Sequence, residues 1–95
     1  MVDVYRALDD ETRRLILDEL ARRDGQTLFA LCSVLITKHG LGSTRQAISQ
    51  HLAVLESAGL VTTARQGRTK LHYFDAEPLA VIVDRWRGPE HREDT

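Results

Sequence analysis

The sequence predicts a mainly α-helical domain of about five helices with one small, two-stranded β-hairpin. Apolar residues recur with helical spacing through most of the chain, alternate strictly after Leu60, and return to helical spacing after Pro78. With 95 residues, 42% of them hydrophobic and 28% charged, the chain has the composition of one folded domain with a modest core. We expect this domain to span residues 1–87 and a polar, disordered tail to span residues 88–95.

Two helices are expected at the amino-terminal end, one over residues 2–8 and one from about Asp10 to Arg23. Either Asp9 or Asp10 can cap the second helix, and acid at its start with base at its end suits the helix dipole. Asp24-Gly25 then breaks the helix. The side chains of this helix that we expect to face the core are Leu15, Ile16 and Leu20.

A third helix is expected from Thr27 to Gly40, and the short turn Leu41-Gly42 joins it to a fourth helix within Ser43–Leu60. Two helices joined by a brief turn that contains glycine indicate a helix-turn-helix arrangement. The inward residues are expected to be Leu28, Leu31, Leu35 and Cys32 on the third helix, and Ile48, Leu52 and Leu55 on the fourth. Ser43 and Thr44 are suited to capping the fourth helix, and Gly59 to ending it.

The outward face of the fourth helix is polar and carries no acid, since helical geometry places Gln46, Ser49, Gln50 and Ala53 there. Amide and hydroxyl groups on an exposed helix can hydrogen-bond to base edges in a DNA major groove. The same pattern is typical of an ordinary amphipathic helix, so this helix alone leaves both interpretations open.

The alternating segment after Leu60 predicts a β-hairpin with its turn at Gln66-Gly67. Arg65, Arg68 and Lys70 cluster at its tip, where they can reach phosphates or a minor groove. A basic hairpin directly after a helix-turn-helix indicates a wing, so the predicted fold is a winged helix-turn-helix.

Charge is distributed unevenly along the chain, whose net charge is −1. Between residues 43 and 74 four basic residues stand against one acidic residue, whereas the rest of the chain holds nine basic and thirteen acidic residues. Screening limits electrostatic interactions to about 8 Å at physiological salt, so local charge decides phosphate contact. The overall charge therefore permits DNA binding.

The last helix is expected to begin at Pro78, where the missing N–H costs little. Leu79, Ile82, Val83 and Trp86 form one apolar stripe along it. Because the core is small and tryptophan is enriched at interfaces, we expect this stripe to form part of a dimer contact.

Other functional classes find little support. No Gly-rich phosphate loop, paired-carboxylate motif or nucleophile arrangement stands out, and His39 and His72 have no acidic or nucleophilic neighbours in sequence, so no catalytic residue or cofactor is predicted. The chain has no apolar run long enough to span a membrane and no signal peptide. A single cysteine fits a reducing compartment, and we expect a cytoplasmic protein.

Three segments, LDDETRRLILDEL, STRQAISQHLAVLESAGLV and RQGRTKLHYF, resemble the ArsR family of winged-helix repressors. The resemblance runs from about Tyr5 to Trp86. It implies a homodimer joined through the first and last helices that binds inverted repeats in promoters. The resulting candidates for DNA contact are Ser43, Thr44, Arg45, Gln46, Ser49, Gln50, His51, Arg65, Gln66, Arg68, Thr69 and Lys70. The candidates for the dimer interface are Val4, Leu8, Leu79, Ile82, Val83 and Trp86.

The sequence departs from the metal-sensing members of that family. Their Cys-x-Cys pattern is replaced by Leu-Cys-Ser-Val-Leu around Cys32, and their Asp-x-His pair is replaced by Asp84-Arg85-Trp86. Later donors are His91 and either Glu93 or Asp94, fewer than the three or four that such sites need. We therefore predict no metal site and a packing role for Cys32.

The hypothesis is a homodimeric repressor that binds a double-stranded inverted-repeat operator near a promoter and responds to an unknown effector. One alternative is a winged-helix protein-interaction module, which exposed apolar residues on the fourth helix would favour, although Ala53 is the only one there. The other is a metal-responsive repressor of the same fold. His51 lies beside the apolar stripe and could either pack at the helix edge or contact a phosphate.

Overall fold

A computed structural model describes residues 2–93 of the chain, with side chains described through residue 87. These residues form five α-helices, one 3-10 turn and one two-stranded antiparallel sheet. In chain order the elements are α1 (Val4–Leu8), α2 (Glu11–Arg22), α3 (Leu28–His39), α4 (Arg45–Ser57), β1 (Val61–Gln66), β2 (Thr69–Phe74), the 3-10 turn (Glu77–Leu79) and α5 (Ala80–Glu93). This confirms the predicted winged helix-turn-helix fold. None of the described helices is long and apolar enough to cross a membrane.

The first four helices begin in the same way, with a side-chain oxygen that accepts a hydrogen bond from the backbone N–H three residues further on. The capping residues are Asp3, Asp10, Thr27 and Thr44. Each such cap contributes about 1 kcal/mol by satisfying an N–H group that has no partner within the helix. The caps therefore fix the starts of these helices.

The helix-turn-helix connection between α3 and α4 depends on Gly40, which adopts a left-handed backbone conformation with φ of +65°. The N–H of Gly40 donates to the carbonyl of Ile36, and the N–H of Leu41 donates to that of Leu35. These two bonds close α3 in a Schellman arrangement, in which glycine avoids the steric cost of a side chain. The prediction that Gly40 ends this helix is confirmed.

The core lies among α2, α3 and α4, and α1 covers one side of it. Its fully buried apolar side chains are Ile16, Leu20, Leu31, Leu35, Ile48, Leu55 and Leu60. Burying each one contributes about 1.5–3 kcal/mol. Leu15, which was predicted to face inward, is only half-buried, whereas Leu17 is buried. The buried face of α2 is therefore centred on Ile16 and Leu20, which places Leu15 at its edge.

The last helix differs from the prediction in where it begins. Leu79 lies in the 3-10 turn, so α5 begins after it. The backbone of α5 then continues as a helix to Glu93, and the polar tail expected for residues 88–95 stays a prediction. The domain boundary at residue 87 stays a prediction.

Candidate nucleic-acid interface

Helix α4 presents one face to the core and the opposite face to solvent. Ile48, Leu52 and Leu55 are at most 2% exposed, which fixes the rotation of the helix about its axis. The side chains on the other side, all exposed, are those of Gln46, Ser49, Gln50 and Ala53. The predicted polar outer face is thus directed away from the protein.

The hairpin formed by β1 and β2 ends in a two-residue loop, because Gln66 pairs with Thr69. Gly67 has a φ of +67°, while Arg68 does not have a positive φ, a combination that fits a type II′ turn. In the same register Arg65 lies directly opposite Lys70. Side chains at directly opposite positions are about 5 Å apart at their Cβ atoms, so two cationic side chains leave the hairpin from neighbouring positions.

The base of the hairpin is attached to the loop between α2 and α3. The backbone N–H of His72 donates to the carbonyl of Gln26 over 2.8 Å, and the His72 Nδ1 lies 2.9 Å from the same oxygen. A carbonyl can only accept, so this ring nitrogen carries a proton. Asp24 adds a third link, since its Oδ1 accepts from the N–H of Phe74 at 2.9 Å. These bonds set the position of the wing relative to the helices.

Helix α4 and the hairpin line a common cleft of about 250 Å³. Ser49, Ala53 and Glu56 line it from the helix, and Lys70 and His72 line it from β2. The cleft therefore joins Ser49 and Ala53 on the outer face of α4 to strand β2 of the hairpin.

The positive charge on this surface comes mainly from Arg45, Arg65 and Arg68, which are all exposed. Among residues 2–87 none of these three forms an ion pair. Lys70 differs, because its Nζ lies 3.8 Å from Glu56 Oε2. The arginines are thus available to an anion, whereas part of the charge of Lys70 is compensated within the protein.

Ten of the twelve candidate DNA contacts have exposed side chains, and two, Ser43 and His51, are half-buried. The Oγ1 of Thr44 accepts the capping bond of α4, which leaves its hydroxyl hydrogen free to donate. His51 points away from the polar face and its Nδ1 lies 3.2 Å from Arg13 Nη1. Arg13 was not among the candidates, because it is 38 positions away from His51 and no local pattern connects the two residues.

A second exposed surface, formed by α1 and α5, is apolar. Val81, Val83 and Trp86 are 50–65% exposed, although tryptophan and valine ordinarily favour burial. Of the predicted interface residues, Leu8, Leu79 and Ile82 are half-buried and Val4 is buried in the core. Val4 therefore supports α1 from within and offers little surface to a partner.

Tyr5, which was not a candidate for the dimer interface, lies outside the core and faces Trp86. The two rings pack edge to face with centroids 6.4 Å apart. The Arg85 guanidinium lies over both rings, 5.6 Å from Tyr5 and 4.9 Å from Trp86. This cluster joins α1 to α5 and leaves much of the indole exposed to solvent.

Within the part of the chain whose side chains are described, no three His, Cys, Asp or Glu residues group closely enough to hold a metal ion. Cys32 is half-buried and packs against the core. His39 does have an acidic partner in space, because its Nε2 lies 2.9 Å from Glu19 Oε2. That pair is part of an ion cluster in which Arg22 and Lys38 also contact Glu19.

Comparison with known protein families and relatives identifies the helix-turn-helix region. A family model described as a helix-turn-helix domain matches residues 8–64. The uncharacterized HTH-type transcriptional regulator YuzN of Bacillus subtilis (strain 168) is 52% identical over 83 residues, which cover 87% of this chain and 90% of YuzN. The HTH-type transcriptional regulator KmtR of Mycobacterium tuberculosis (strain ATCC 25618 / H37Rv) is 34% identical over 92 residues, which cover 96% of this chain and 65% of KmtR.

Solved structures agree with this result. An ArsR-like transcriptional regulator from Rhodococcus sp. RHA1 superposes with a TM-score of 0.76 and 33% identity, covering 96% of this chain and 77% of that one. A possible transcriptional regulator for arsenical resistance gives a TM-score of 0.73 and 31% identity, covering 95% and 90% of the two chains. The similar proteins are transcriptional regulators, and none of those compared is described as an enzyme.

Proposed function

The chain belongs to the ArsR family of winged helix-turn-helix transcriptional regulators, and we propose that it is a homodimeric repressor. In this proposal it binds an inverted-repeat operator in double-stranded DNA near a promoter in the cytoplasm, and an effector releases it. Its membership of the family makes it a DNA-binding regulator and not an enzyme. The repressor role, the dimer and the operator belong to the proposal.

The observation that carries the proposal is the pairing of a polar helix face with unpaired arginines on one surface. Gln46, Ser49 and Gln50 are exposed on α4, and the cleft beside Ser49 continues onto the wing. Arg65 and Arg68 extend from that wing without an ion-pair partner among residues 2–87. Donors and acceptors for base edges thus lie beside cations for phosphates, which is what a DNA-binding surface requires.

We assign different roles to the two parts of this surface. Gln46, Ser49 and Gln50 would contact base edges in the major groove, where a glutamine side chain pairs with adenine. Phosphates would be contacted by the residues at the start of α4 and on the wing, namely Ser43, Thr44, Arg45, Arg65, Gln66, Arg68, Thr69 and Lys70. The phosphate contacts fix the orientation of the protein, and the base contacts supply its sequence preference.

The apolar surface of α1 and α5 supports the homodimer. Val83 and Trp86 are at least half exposed, and Leu8, Leu79 and Ile82 are half-buried beside them. A second copy would cover these side chains, and the two recognition helices would then enter successive major grooves about 34 Å apart. An effector that binds one dimer geometry better than the other would shift the protein between DNA-bound and free states.

A mobility-shift assay with the promoter upstream of the protein's own gene tests this function. We expect a shifted band that weakens steeply as salt rises, because phosphate contacts release counterions. Arg68→Ala should weaken binding to every sequence alike, whereas Gln46→Ala should relax the preference at one base position. Absent or salt-insensitive binding would contradict the proposal, and identical behaviour of the two variants would contradict the assignment of roles.

A second candidate function, a protein-interaction module, is supported by Phe29 and Ile36. These side chains are 72% and 54% exposed and lie seven residues apart on one face of α3. They are not part of the polar face of α4, so the two functions would use different surfaces. Phe29→Ser should leave the mobility shift unchanged. Loss of DNA binding in this variant would mean that the exposed face of α3 also takes part in DNA binding.

A further inference from the structure

His51 lies on the recognition helix but does not face the surface assigned to DNA. At about 100° per residue, its side chain is roughly 150° from the centre of the face that carries Gln46, Ser49 and Gln50. The side chain is 23% exposed, and its Nδ1 is 3.2 Å from Arg13 Nη1. The imidazole therefore packs against α2, on the protein side of α4.

Arg13 connects three helices through one guanidinium group. Its Nε donates to the carbonyl of Ala7 at 2.7 Å, and its Nη2 donates to the carbonyl of Arg6 at 3.1 Å. Both carbonyls lie in the last turn of α1, and that of Arg6 also accepts from the backbone N–H of Asp9 at 3.1 Å. The third contact, from Nη1, is to His51 on α4. Because the Arg13 side chain is only 14% exposed, these bonds are largely shielded from water.

The contact with Arg13 can be a hydrogen bond in only one form of the imidazole. A guanidinium group has five N–H donors, no acceptor, and no neutral form in proteins. The bond to Arg13 therefore requires a lone pair on His51 Nδ1. In the form that accepts this bond, the imidazole is neutral and carries its single proton on Nε2. Protonation of Nδ1 removes the acceptor and places two positive charges against each other.

Asp10 offers a second partner for the charged imidazole. Its Oδ1 lies 4.0 Å from His51 Nδ1, and it also caps α2 by accepting from the N–H of Arg13. Burial raises the pKa of Asp10. The hydrogen bond from the backbone N–H of Arg13 and the positive charges of His51 and Arg13 outweigh this effect, so the pKa lies below its ordinary value. Asp10 is therefore ionised wherever histidine titrates. Arg13 and Asp10 are the charged groups from α2 that face the imidazole.

We propose that Arg13 and His51 are positioning residues for DNA binding that hold α4 against the end of α1, and that protonation of His51 releases this hold. The inference rests on the proposed function, because its effect is measured as DNA affinity. Helix α1 contributes to the apolar surface assigned to the dimer, and α4 contributes the base contacts. The Arg13 guanidinium thus transmits the arrangement of the dimer to the recognition helix.

The test is a titration of labelled promoter DNA from the protein's own gene, followed by fluorescence anisotropy between pH 5.5 and 8. The wild-type protein should lose roughly tenfold in affinity as the pH falls, which lies within the usual range of coupling between sites. His51→Asn is the informative variant, because its side-chain oxygen can accept from Arg13 near the Nδ1 position but does not titrate. At pH 8 this variant should bind DNA as tightly as the wild type. At pH 5.5 it should keep that affinity, whereas the wild type should bind more weakly. Arg13→Gln should bind weakly at both pH values.

The outcomes separate this inference from the proposed function. No binding by the wild-type protein at any pH overturns both. Wild-type binding with the same pH dependence in His51→Asn overturns the inference alone, as does full affinity in Arg13→Gln at pH 8. Nitrogen NMR of the histidine side chains gives a measurement that needs neither DNA nor a variant. It should show His51 at neutral pH with the proton on Nε2, and a proton on Nδ1 would overturn the inference.

Discussion

Two groups of basic side chains on this protein have opposite surroundings. Arg22, Lys38 and His39 converge on the buried carboxylate of Glu19, at distances of 2.8, 3.0 and 2.9 Å. Arg65 and Arg68 extend into solvent and form no ion pair among residues 2–87. Cations that meet a carboxylate within the protein stabilise its fold, whereas cations without one are available to a phosphate.

The cluster around Glu19 explains how a nearly fully buried acid is tolerated. Hydrogen bonds from Arg22 and His39, opposed by burial and aided by Lys38, lower the pKa of Glu19 to about 2. The carboxylate therefore stays ionised and links α2 to the last turn of α3. The connection to α4 follows directly after that turn, so the cluster also helps to place the recognition helix.

The largest expected effect comes from removing the charge of Glu19. Glu19→Gln should lower the free energy of unfolding by about 3 kcal/mol, since it breaks a buried ion pair while Arg22 and Lys38 can still reach solvent. Urea unfolding followed by circular dichroism measures this loss. Asp18→Asn is the matched control, because Asp18 is exposed on the same helix and its loss should change stability by less than about 0.5 kcal/mol. Equal losses of stability in Glu19→Gln and Asp18→Asn would show that the buried carboxylate stabilises the fold no more than an exposed one does.

Acid should weaken the same cluster. Because folding lowers the pKa of Glu19 from 4.5 to about 2, its contribution is fully present above pH 4.5 and is lost as the pH falls toward 2. We expect the free energy of unfolding to fall by about 2 kcal/mol. This is less than the full pKa shift of Glu19 would give, because Arg22 and Lys38 are partly screened by water. Urea unfolding at pH 7, 4 and 3 should show a smaller decrease for Glu19→Gln than for the wild type. Parallel decreases would exclude this carboxylate as the cause.

On the other side of the comparison, removing the wing arginines should affect binding and leave stability unchanged. The double variant Arg65→Ala, Arg68→Ala should reduce DNA affinity about tenfold at moderate salt and lower the salt-dependence slope by about two. Its melting temperature should match that of the wild type. Arg23→Ala removes an exposed charge at the end of α2 and should keep the slope unchanged. A wing variant that melts earlier would show that these arginines also support the fold.

The smallest effects are expected for Lys70, which is on the wing like the unpaired arginines but has a carboxylate partner in Glu56. Its Nζ is 3.8 Å from Glu56 Oε2, so Lys70→Ala should weaken DNA binding less than Arg68→Ala does. Glu56→Gln should act in the opposite direction and tighten binding about twofold, because it frees the lysine and removes a negative charge near the phosphates. Anisotropy titrations at one fixed salt concentration would compare the three variants. Weaker binding by Glu56→Gln would mean that the carboxylate has another role.

Local patterns were sufficient to predict most of the fold. Thr44 and Gly40 set helix ends through bonds to residues within six positions, and Gly67 sets the turn of the hairpin in the same way. The outward face of α4 also followed from periodicity, because Ile48, Leu52 and Leu55 determine which side is buried. These features depend on short stretches of chain, which is why the sequence predicts them well.

The features that the sequence did not predict all depend on contacts between distant positions. Glu19 follows the apolar pattern of α2 closely, yet acids are usually exposed, and its partner His39 is 20 positions away. Arg13 and His51 are separated by 38 positions, and neither residue type indicates the other. Val4 was assigned to the dimer surface through the family resemblance, but its side chain is buried in the core and Tyr5 is exposed beside it.

The opposed charges of Arg65 and Lys70 on the hairpin have a consequence for its local opening. The base of the hairpin is secured by His72 and Asp24, whereas the tip carries two cations at directly opposite positions. Like charges in that arrangement destabilise the strand pair, so the amides near the tip should exchange with solvent sooner than those near the base. A phosphate between the two side chains would reverse this repulsion. The tip of the wing would then be better ordered with DNA bound than without it.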